Sequence, residues 1–342
     1  MNVLGIESSC DETSVAIISN GKLKANLISS QDFHAKYGGV IPELSSRAHL
    51  QIILPLLKSA LEKAGLRKED LNVVAATAGP GLIGALLVGL TFAKGLAYSL
   101  NVPFVPVNHI EGHIFSGFLM DDKPEFPYLC LVVSGGHTLL LVVKSDLEIV
   151  RLGSTVDDAV GEAFDKVAKM LGFEYPGGPL IQKYAGKGNP DEIKFPIARL
   201  KNKYDFSFSG LKTSVLRYIQ KLQKEHINLT DNEKENISAS FQKAIIDALT
   251  QKVILALNEF EVASLSLVGG VAANTALRES IVNIGKSFNK KVIIPDLSFC
   301  GDNAAMIAYR GMKLHQLGQV FGYGYNAYAR MPENTFTSIN AL

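Results

Sequence analysis

The sequence predicts an α/β protein made of two similar domains, and three observations support this prediction. Short apolar segments alternate with helical stretches, as strands and helices do in α/β sheet proteins. A strand–turn–strand segment near the N-terminus recurs near the middle of the chain. The chain has 342 residues, which is more than one hydrophobic core usually accommodates.

Each copy of the repeated segment is a hairpin with small or polar residues in its turn. The first has predicted strands at 3–6 and 13–18 around the turn 7–12. The second has predicted strands at 128–133 and 138–143, joined by Ser-Gly-Gly-His. Because each hairpin opens one half of the chain, we expect each to begin its own domain.

A charge-free segment follows the first hairpin at 73–93, and it is long enough on paper to cross a bilayer. Gly79-Pro80-Gly81 divides it, however. We therefore predict a buried strand at 73–77 and a Gly/Ala-rich helix at 82–99 packed on a sheet, and no membrane span.

The second half continues with a strand at 265–268, a Gly-Gly pair and a helix at 272–284. A strand at 292–294 precedes a helix at 304–317, and the aperiodic segment from 321 onward is predicted to be an extended arm. The predicted domains are 1–127, completed by the helix 304–318, then 128–303, followed by a tail at 319–342.

Composition narrows the class of protein. The net charge of +1 disfavours a free-standing nucleic-acid binder, and 47% apolar with 20% charged residues excludes a disordered chain. Cys10, Cys130 and Cys300 are far apart, which disfavours a disulfide framework and a thiolate zinc site. The N-terminus lacks the basic and apolar regions of a signal peptide, so we expect a cytoplasmic protein.

The charge is unevenly distributed along the chain. Ten Lys/Arg and three acidic residues between 183 and 224 give this stretch +7 and leave −6 for the rest. Six aromatic residues lie in the same stretch: Tyr184, Phe195, Tyr204, Phe206, Phe208 and Tyr218. The stretch is either a solvated, lysine-rich surface or a basic, aromatic-bearing surface for a phosphate backbone.

The segment 108–113 (NHIEGH) places His109 and His113 at positions i and i+4. On a helix they share one face, with Cβ atoms about 6 Å apart, which suits one metal ion. Asp302, just before a predicted helix, is the candidate third ligand, although an aspartate there is also a common N-cap. Such a set suits Fe(II) or Zn(II) alike. Glu111 lies about 200° around the helix from His109, which gives a metallopeptidase little support.

Three glycine-containing turns are candidate phosphate loops, at 134–138 (SGGHT), 175–179 (YPGGP) and 269–274 (GGVAAN). Glycine lets backbone N–H groups approach a phosphate, although each turn alone is better explained as a structural turn. Neither GxxxxGK[ST] nor GxGxxG occurs, so neither a Walker NTPase nor a Rossmann dehydrogenase is favoured.

Three carboxylates complete the set of candidates. Asp11 and Glu12 lie in the first hairpin turn, where they are either simply exposed or available as a general base. Asp165 is predicted near the start of a helix that ends at about residue 171. It either complements the helix dipole or accepts hydrogen bonds from a ribose.

Together these motifs resemble the TsaD family, whose members were formerly described as O-sialoglycoprotein endopeptidases. The segments that support the resemblance lie in order from about residue 2 to about residue 312: GIESSCDET, HAKYGGVIPELSSRAH, NHIEGH, VSGGHT, GEAFDKVAK, YPGGP, SFSGLKT, VGGVAAN and CGDNAAMIA. ESSCDET and HAKYGGVIPE resemble the bacterial or organellar branch.

The resemblance implies a duplicated two-domain actin/Hsp70/sugar-kinase (ASKHA) fold with a nucleotide cleft between the domains. It implies transfer of a threonylcarbamoyl group from threonylcarbamoyl-adenylate to the N6 amine of adenosine 37 in tRNAs that read codons starting with A, with release of AMP. The implied partners are a TsaB-like paralogue and a TsaE-like ATPase, without a membrane.

By the same resemblance, His109, His113 and Asp302 are implied ligands of one divalent metal, Fe(II), with Zn(II) as the alternative. The implied donor site consists of Val132, Val133, Ser134, Gly135, Gly136, Asp165, Gly178 and Asn274. Asp11 or Glu12 is the candidate general base for the attacking amine. An ATP-dependent phosphotransferase of the same fold stays open as an alternative, as does, with less support, a metallopeptidase.

Overall fold

The computed structural model describes residues 1–225, 228–332 and 335–338. The strands are β1 (Asn2–Glu7), β2 (Glu12–Ser19), β3 (Lys22–Ser30), β4 (Val73–Gly79), β5 (Phe104–Asn108), β6 (Tyr128–Val133), β7 (Thr138–Val143), β8 (Ile149–Ser154), β9 (Ser264–Val268), β10 (Lys291–Ile293) and β11 (Thr337–Ser338). The α-helices are α1 (Pro42–Ala64), α2 (Ile83–Leu100), α3 (His109–Phe115), α4 (Val160–Met170), α5 (Gly177–Ala185), α6 (Ser209–Glu225), α7 (Asp231–Glu259), α8 (Thr275–Ser287), α9 (Leu297–Cys300) and α10 (Ala304–Gln316).

The chain divides into two compact units. Unit 1 comprises Met1–Lys123 and Pro295–Thr335, and unit 2 comprises Pro124–Ile294 and the segment from Phe336 onward. This division differs from the domain bounds predicted from the sequence. Residues 295–303 belong to unit 1 because they lead directly into α10, which packs on β1 and β4. The tail as far as Thr335 also belongs to unit 1, where the N–H of Tyr328 donates to the carbonyl of Ala78.

The two sheets repeat one topology. In unit 1 the strand order is β3-β2-β1-β4-β5, with β1 to β3 antiparallel and β4 and β5 parallel to β1. In unit 2 the order β8-β7-β6-β9-β10 repeats this arrangement, and β11 extends the sheet beyond β8. The predicted α/β fold with a duplicated hairpin is therefore confirmed.

Both faces of the unit 1 sheet are covered by apolar side chains. One face packs against α1 and α2, and the other packs against α10. The helix α2 is long and apolar enough to cross a membrane by length and composition. Its small residues, such as Ala85 and Gly89, are buried against β4 and β1, as expected for a helix packed on a sheet.

Candidate metal centre and glycine loops

The structure brings His109, His113 and Asp302 together in unit 1. Nε2 of His113 lies 3.1 Å from Oδ1 of Asp302, and Nε2 of His109 lies 3.4 Å from the same atom. Both histidines are buried on α3, which begins at His109 because Asn108 caps it. The Oδ1 atom of Asn108 accepts hydrogen bonds from the N–H groups of residues 110 and 111.

Asp302 does not cap the helix that follows it. That role belongs to Asn303, whose side chain accepts a hydrogen bond from the N–H of Met306 at 3.1 Å. The carboxylate of Asp302 is therefore directed to the two histidines, and the N-cap interpretation of Asp302 is wrong.

A divalent ion fits these three side chains. One ligand atom from each residue lies within 4.8 Å of the other two. Two ligands bound at about 2.1 Å with tetrahedral or right angles stand roughly 3.0–3.4 Å apart, which matches both distances to Asp302. Two imidazoles and a carboxylate suit Fe(II) or Zn(II). Nδ1 of His113 is buried and has no hydrogen-bond partner among the described residues, so Nε2 is the engaged nitrogen of this ring.

Glu7 supports this cluster and was not singled out from the sequence. Its fully buried carboxylate lies 3.1 Å from Nδ1 of His109, which leaves Nε2 of His109 directed at Asp302. The same carboxylate accepts hydrogen bonds from the hydroxyl of Thr77 at 2.6 Å and from the N–H of Ser9 at 2.5 Å. A carboxylate behind a ligating imidazole orients the ring and raises its basicity.

A signal for Glu7 was present in the strand pattern. Glu7 ends β1, Thr77 lies near the end of β4, and His109 follows β5. Because these three strands are parallel, their carboxyl ends meet at one edge of the sheet, where α/β proteins usually place their sites.

The charges of this cluster favour an added positive charge. Burial alone would lower the pKa of His109, but the carboxylates of Asp302 and Glu7 outweigh it and hold that pKa well above its usual range. Burial alone would raise the pKa of Asp302, whereas His109 and His113 hold it well below its ordinary value. The pKa of Glu7 is also lowered, because the attraction of His109 outweighs its burial.

Glu111 takes no part in the cluster and instead pairs with Arg310. Nε and Nη2 of Arg310 lie 2.7 and 2.6 Å from Oε2 of Glu111. The guanidinium also stacks over the ring of Phe115, with Cζ 4.1 Å from the centroid. Glu111 is therefore engaged away from the histidines, which removes the candidate base of a metallopeptidase.

The two candidate general bases lie in the turn between β1 and β2. Asp11 is half-buried in this turn, and Glu12 is the first residue of β2. Burial raises the pKa of Glu12 to about 9, and the negative charges of Asp302 and Asp11 add to this effect. Glu12 therefore lies in the electrostatic field of the cluster.

The turn itself is anchored through the carbonyl oxygen of Cys10. Nε2 of His49 lies 2.9 Å from this oxygen, and the hydroxyl of Ser45 donates to it at 2.5 Å. Nδ1 of His49 lies 2.7 Å from the hydroxyl of Thr13. These contacts fix the backbone from which Asp11 and Glu12 project.

The first glycine loop of unit 2 follows β6, which ends with Val132 and Val133. The N–H of Ser134 donates to the carbonyl of His137 at 2.8 Å, which closes the turn. Gly135 and Gly136 are exposed, and a Cβ on either would meet no atom within 4 Å. Packing within unit 2 therefore does not require these glycines, which leave the backbone open to close approach of a ligand.

The other predicted donor residues lie next to this loop. Gly161 packs against Gly135, with space for no side chain, and Asp165 is one turn further along α4. The carboxylate of Asp165 accepts a hydrogen bond from the N–H of Gly177 at 2.8 Å, beside Gly178 at the start of α5. Asp165 is the sixth of eleven residues in α4, so its predicted place near the helix start is wrong and the dipole role is excluded.

The loop at 269–274, which follows β9, contains the last of the predicted donor residues. Gly269, with φ +96°, lies against the Val133 carbonyl, where an added Cβ would stand 2.4 Å from the oxygen. The predicted helix at 272–284 begins only at Thr275, because residues 270–273 form a 3-10 turn and Asn274 caps α8. The N–H of Thr275 donates to Gln182 of α5 at 2.8 Å. The structure thus brings the predicted donor residues together within unit 2.

The chain is similar to known proteins over most of its length. The family model described as "TsaD: tRNA N6-adenosine threonylcarbamoyltransferase" matches residues 22–309. A relative of that name from Thermosipho africanus (strain TCF52B) is 50% identical, over 93% of this chain and 96% of its own length. Another from Carboxydothermus hydrogenoformans is 50% identical, over 95% of this chain and 96% of its own length.

Solved structures support the fold independently. HypF from T. kodakarensis matches with a TM-score of 0.64 at 16% identity, over 96% of this chain and 49% of HypF. The activator of 2-hydroxyisocaproyl-CoA dehydratase from Clostridium difficile, with bound ADPNP, matches with a TM-score of 0.52 at 14% identity, over 93% of this chain and 97% of the activator. These likenesses agree with the ASKHA fold. With a family model across residues 22–309 and relatives that share half of its residues, the chain belongs to the TsaD family and is a transferase.

Proposed function

We propose that this chain modifies tRNA by transferring a threonylcarbamoyl group from threonylcarbamoyl-adenylate to N6 of adenosine 37. The acceptors are tRNAs that read codons starting with A, the second product is AMP, and the place of reaction is the cytoplasm. The observation that carries this proposal is the buried cluster of His109, His113 and Asp302 in a chain of the TsaD family. The names of the relatives support tRNA modification.

The donor binds at the glycine loops of unit 2. Its acyl-phosphate anhydride is already activated, so the chain needs no nucleophile of its own and must instead stabilise charge and orient the amine. The exposed N–H groups of Gly135 and Gly136 donate to phosphate oxygens, as in other backbone anion sites. Val132, Val133, Ser134 and Gly178 form the adjoining backbone, Asp165 accepts hydrogen bonds from the ribose hydroxyls, and Asn274 lies beside them.

His109, His113 and Asp302 would hold one divalent ion, Fe(II) or Zn(II). When bound, such an ion supplies Lewis-acid stabilisation of a phosphate or carbamoyl oxygen. Glu7 orients His109 for this purpose, because its carboxylate lies 3.1 Å from Nδ1 of that ring.

The proton of the attacking amine passes to Asp11 or Glu12. With its pKa at about 9, Glu12 holds a proton at neutral pH, so it accepts the amine proton only where that pKa is lowered. Part of that elevation comes from the charge of Asp302, which a bound cation would offset. The anchored turn holds both carboxylates in a fixed place relative to β1, so either is available to a correctly bound amine.

A TsaB-like paralogue binds the outer face of α1 and α2, and a TsaE-like ATPase completes the set of partners. The small residues of α2 are used inside unit 1, so they do not form this interface. The outer face exposes apolar side chains instead, with Leu50 at 69% and Leu54 at 48% on α1 and Leu87 at 49% on α2. An apolar area of this kind is typical of a protein-binding surface.

The test is incubation with unmodified tRNA, threonylcarbamoyl-adenylate and the partners, followed by mass spectrometry of the nucleosides. We expect threonylcarbamoyladenosine with wild-type protein and its loss with the His113→Ala variant. Absence of this nucleoside with every combination of partners would overturn the proposal. Transfer of the γ-phosphoryl group from labelled ATP to an acceptor would support the phosphotransferase alternative instead.

A further inference from the structure

The outward face of α6 carries a row of three cations, Arg217, Lys221 and Lys224, which we call the α6 stripe. Their spacing of four and three residues places them on one face of the helix. All three are exposed, and no acidic residue occurs from 206 to 224. Within the part of the chain that the structure describes, none of the three forms an ion pair.

Other cations of the basic stretch are already neutralised. Lys187 pairs with Glu235, Lys203 with Glu259, and Lys212 with Asp158. The cations without an ion pair among the described residues are Lys183, Lys194, Arg199, Lys201 and the three of the α6 stripe, and all are exposed. The positive charge of this stretch is therefore available at the surface of unit 2.

The aromatic residues of the stretch are not available in the same way. Tyr204, Phe206 and Phe208 are at most 2% exposed. The rings of Phe195 and Tyr218 contact each other, edge to face. Three of the six rings therefore lie in the core of unit 2 and do not offer a stacking platform for bases, which disfavours the interpretation of this stretch as an aromatic-bearing surface.

The α6 stripe stands on a rigid support. Asp157 caps α6, because its Oδ1 accepts hydrogen bonds from the N–H groups of Phe208 and Ser209 and its Oδ2 accepts from the hydroxyls of Ser207 and Ser209. Burial alone would raise the pKa of Asp157, but these hydrogen bonds hold that pKa below its ordinary value. Asp158 binds both Lys166 of α4 and Lys212 of α6, which ties the two helices together.

This support links the helix that bears the stripe to α4, which carries one of the predicted donor residues. The helix α4 carries Asp165, and Lys212 pairs with Asp158, which lies two residues before α4 begins. The stripe begins five residues after Lys212 and ends twelve residues after it, which is about 7 to 18 Å along a helix that rises ~1.5 Å per residue.

We propose that the α6 stripe binds the phosphate backbone of the tRNA substrate. The inference rests on the proposed function, which makes RNA the ligand, and it names the surface that binds it. Three flexible cations spaced along one line complement a row of phosphates, and contacts of this kind position a nucleic acid without reading its sequence. The buried aromatic rings agree with binding through charge alone.

The test is the salt dependence of tRNA binding. The variant R217Q/K221Q/K224Q removes the stripe, and K22Q/K24Q/K286Q removes three exposed cations elsewhere as a matched control. Affinity for unmodified tRNA is measured with the complex assembled with its partners, at 50 to 200 mM salt. Each lost phosphate contact should flatten the plot of log affinity against log salt by about 0.7–0.9, or roughly 2–3 in total.

We expect the stripe variant to bind tRNA at least about ten-fold more weakly at low salt and the control variant to stay close to wild type. Glutamine is a good helix former, so α6 should fold, and circular dichroism checks this. Equal salt slopes for the stripe and control variants would overturn the inference. So would loss of partner assembly at unchanged tRNA affinity, which would identify the stripe as a protein-binding surface.

The proposed function is tested separately, by product formation at saturating tRNA. If wild-type protein forms threonylcarbamoyladenosine while the stripe variant keeps the wild-type slope, only the present inference fails. If wild-type protein forms none, the proposed function fails, whereas the difference in slope still decides whether the stripe contacts tRNA.

Discussion

Replacing Arg310 by Met should destabilise unit 1 by about 3 kcal/mol, because it leaves the carboxylate of Glu111 without its cation. Breaking a buried ion pair costs about 3–5 kcal/mol. The two side chains are 3% and 18% exposed, so the pair is close to fully buried. The lower end of the range applies because Glu111 keeps some contact with water and because Nη1 of Arg310, buried without a partner among the described residues, is removed as well.

Urea denaturation at pH 7 measures this loss. Arg47→Met is the matched control, since Arg47 pairs with Glu43 at 2.7 Å but both side chains are more than 70% exposed. An exposed pair contributes about 0–1 kcal/mol. The double variant Glu111→Leu/Arg310→Met should recover most of the loss, because replacing both partners by apolar groups is often neutral. A loss in Arg310→Met no larger than in Arg47→Met, or a double variant as unstable as Arg310→Met, would refute the reasoning.

The same pair also joins the elements that bear the candidate metal ligands. Glu111 lies on α3 between His109 and His113, and Arg310 lies on α10, which begins two residues after Asp302. We therefore expect the double variant to bind Zn(II) about ten-fold more weakly even where its stability is restored. Mutation of the outer partners of a metal site usually weakens metal affinity by this much or more. Competition with a chromogenic chelator measures this, and an unchanged affinity would limit the pair to a structural role.

Three further predictions follow from particular contacts. Glu7→Gln should weaken Zn(II) affinity about 10- to 100-fold in the same chelator assay, whereas the exposed Glu62→Gln should leave it unchanged. Asp157→Asn should cost about 1 kcal/mol at pH 7, because the amide NH2 that replaces Oδ2 cannot accept the hydrogen bonds of the Ser207 and Ser209 hydroxyls. Because the folded pKa of Asp157 is lowered, this advantage of wild type is present above about pH 4 and disappears as the pH falls through the lowered pKa, so urea denaturation showing the same difference at pH 2 and pH 7 would contradict it. Gly269→Ala should cost about 1–3 kcal/mol and abolish AMP binding measured by calorimetry, since its Cβ would press on Val133; retained AMP affinity would disprove the placement.

Sequence patterns predicted the features that depend on near neighbours. The hairpins at β1–β2 and β6–β7 are confirmed because alternating apolar runs and their turns are local signals. The shared face of His109 and His113 follows from helix geometry alone. Asp302 was predicted as the third metal ligand only from its place before a helix and from the family resemblance. It lies 189 residues after His113 in the chain.

These patterns could not predict contacts between residues that are far apart in the chain. Glu7 and His109 are 102 residues apart, and Glu111 and Arg310 are 199 apart. No spacing rule connects such positions until the order of the strands is known. The burial of the aromatic residues at 204–208 was not predicted, for a related reason. They lie in an irregular segment joined to the sheet by a single bridge between Thr155 and Phe206, so no periodicity revealed that they are buried.

The near-zero net charge of this chain is the sum of a locally negative region and a locally positive one. This uneven distribution affects how the chain binds its substrates. In unit 1, Glu7 and Asp302 flank His109, and the pKa of Glu12, raised to about 9 first of all by burial, is raised further by the negative charge of Asp302, which a cation would offset. In unit 2, the α6 stripe offers positive charge that no described acid neutralises. A net charge of +1 therefore does not exclude nucleic acid, although it excludes a long-range field. Three phosphate contacts also account for only part of the affinity expected of an RNA-binding enzyme, so we expect firm binding of tRNA to need further cations, either from the rest of the basic stretch or from partner chains.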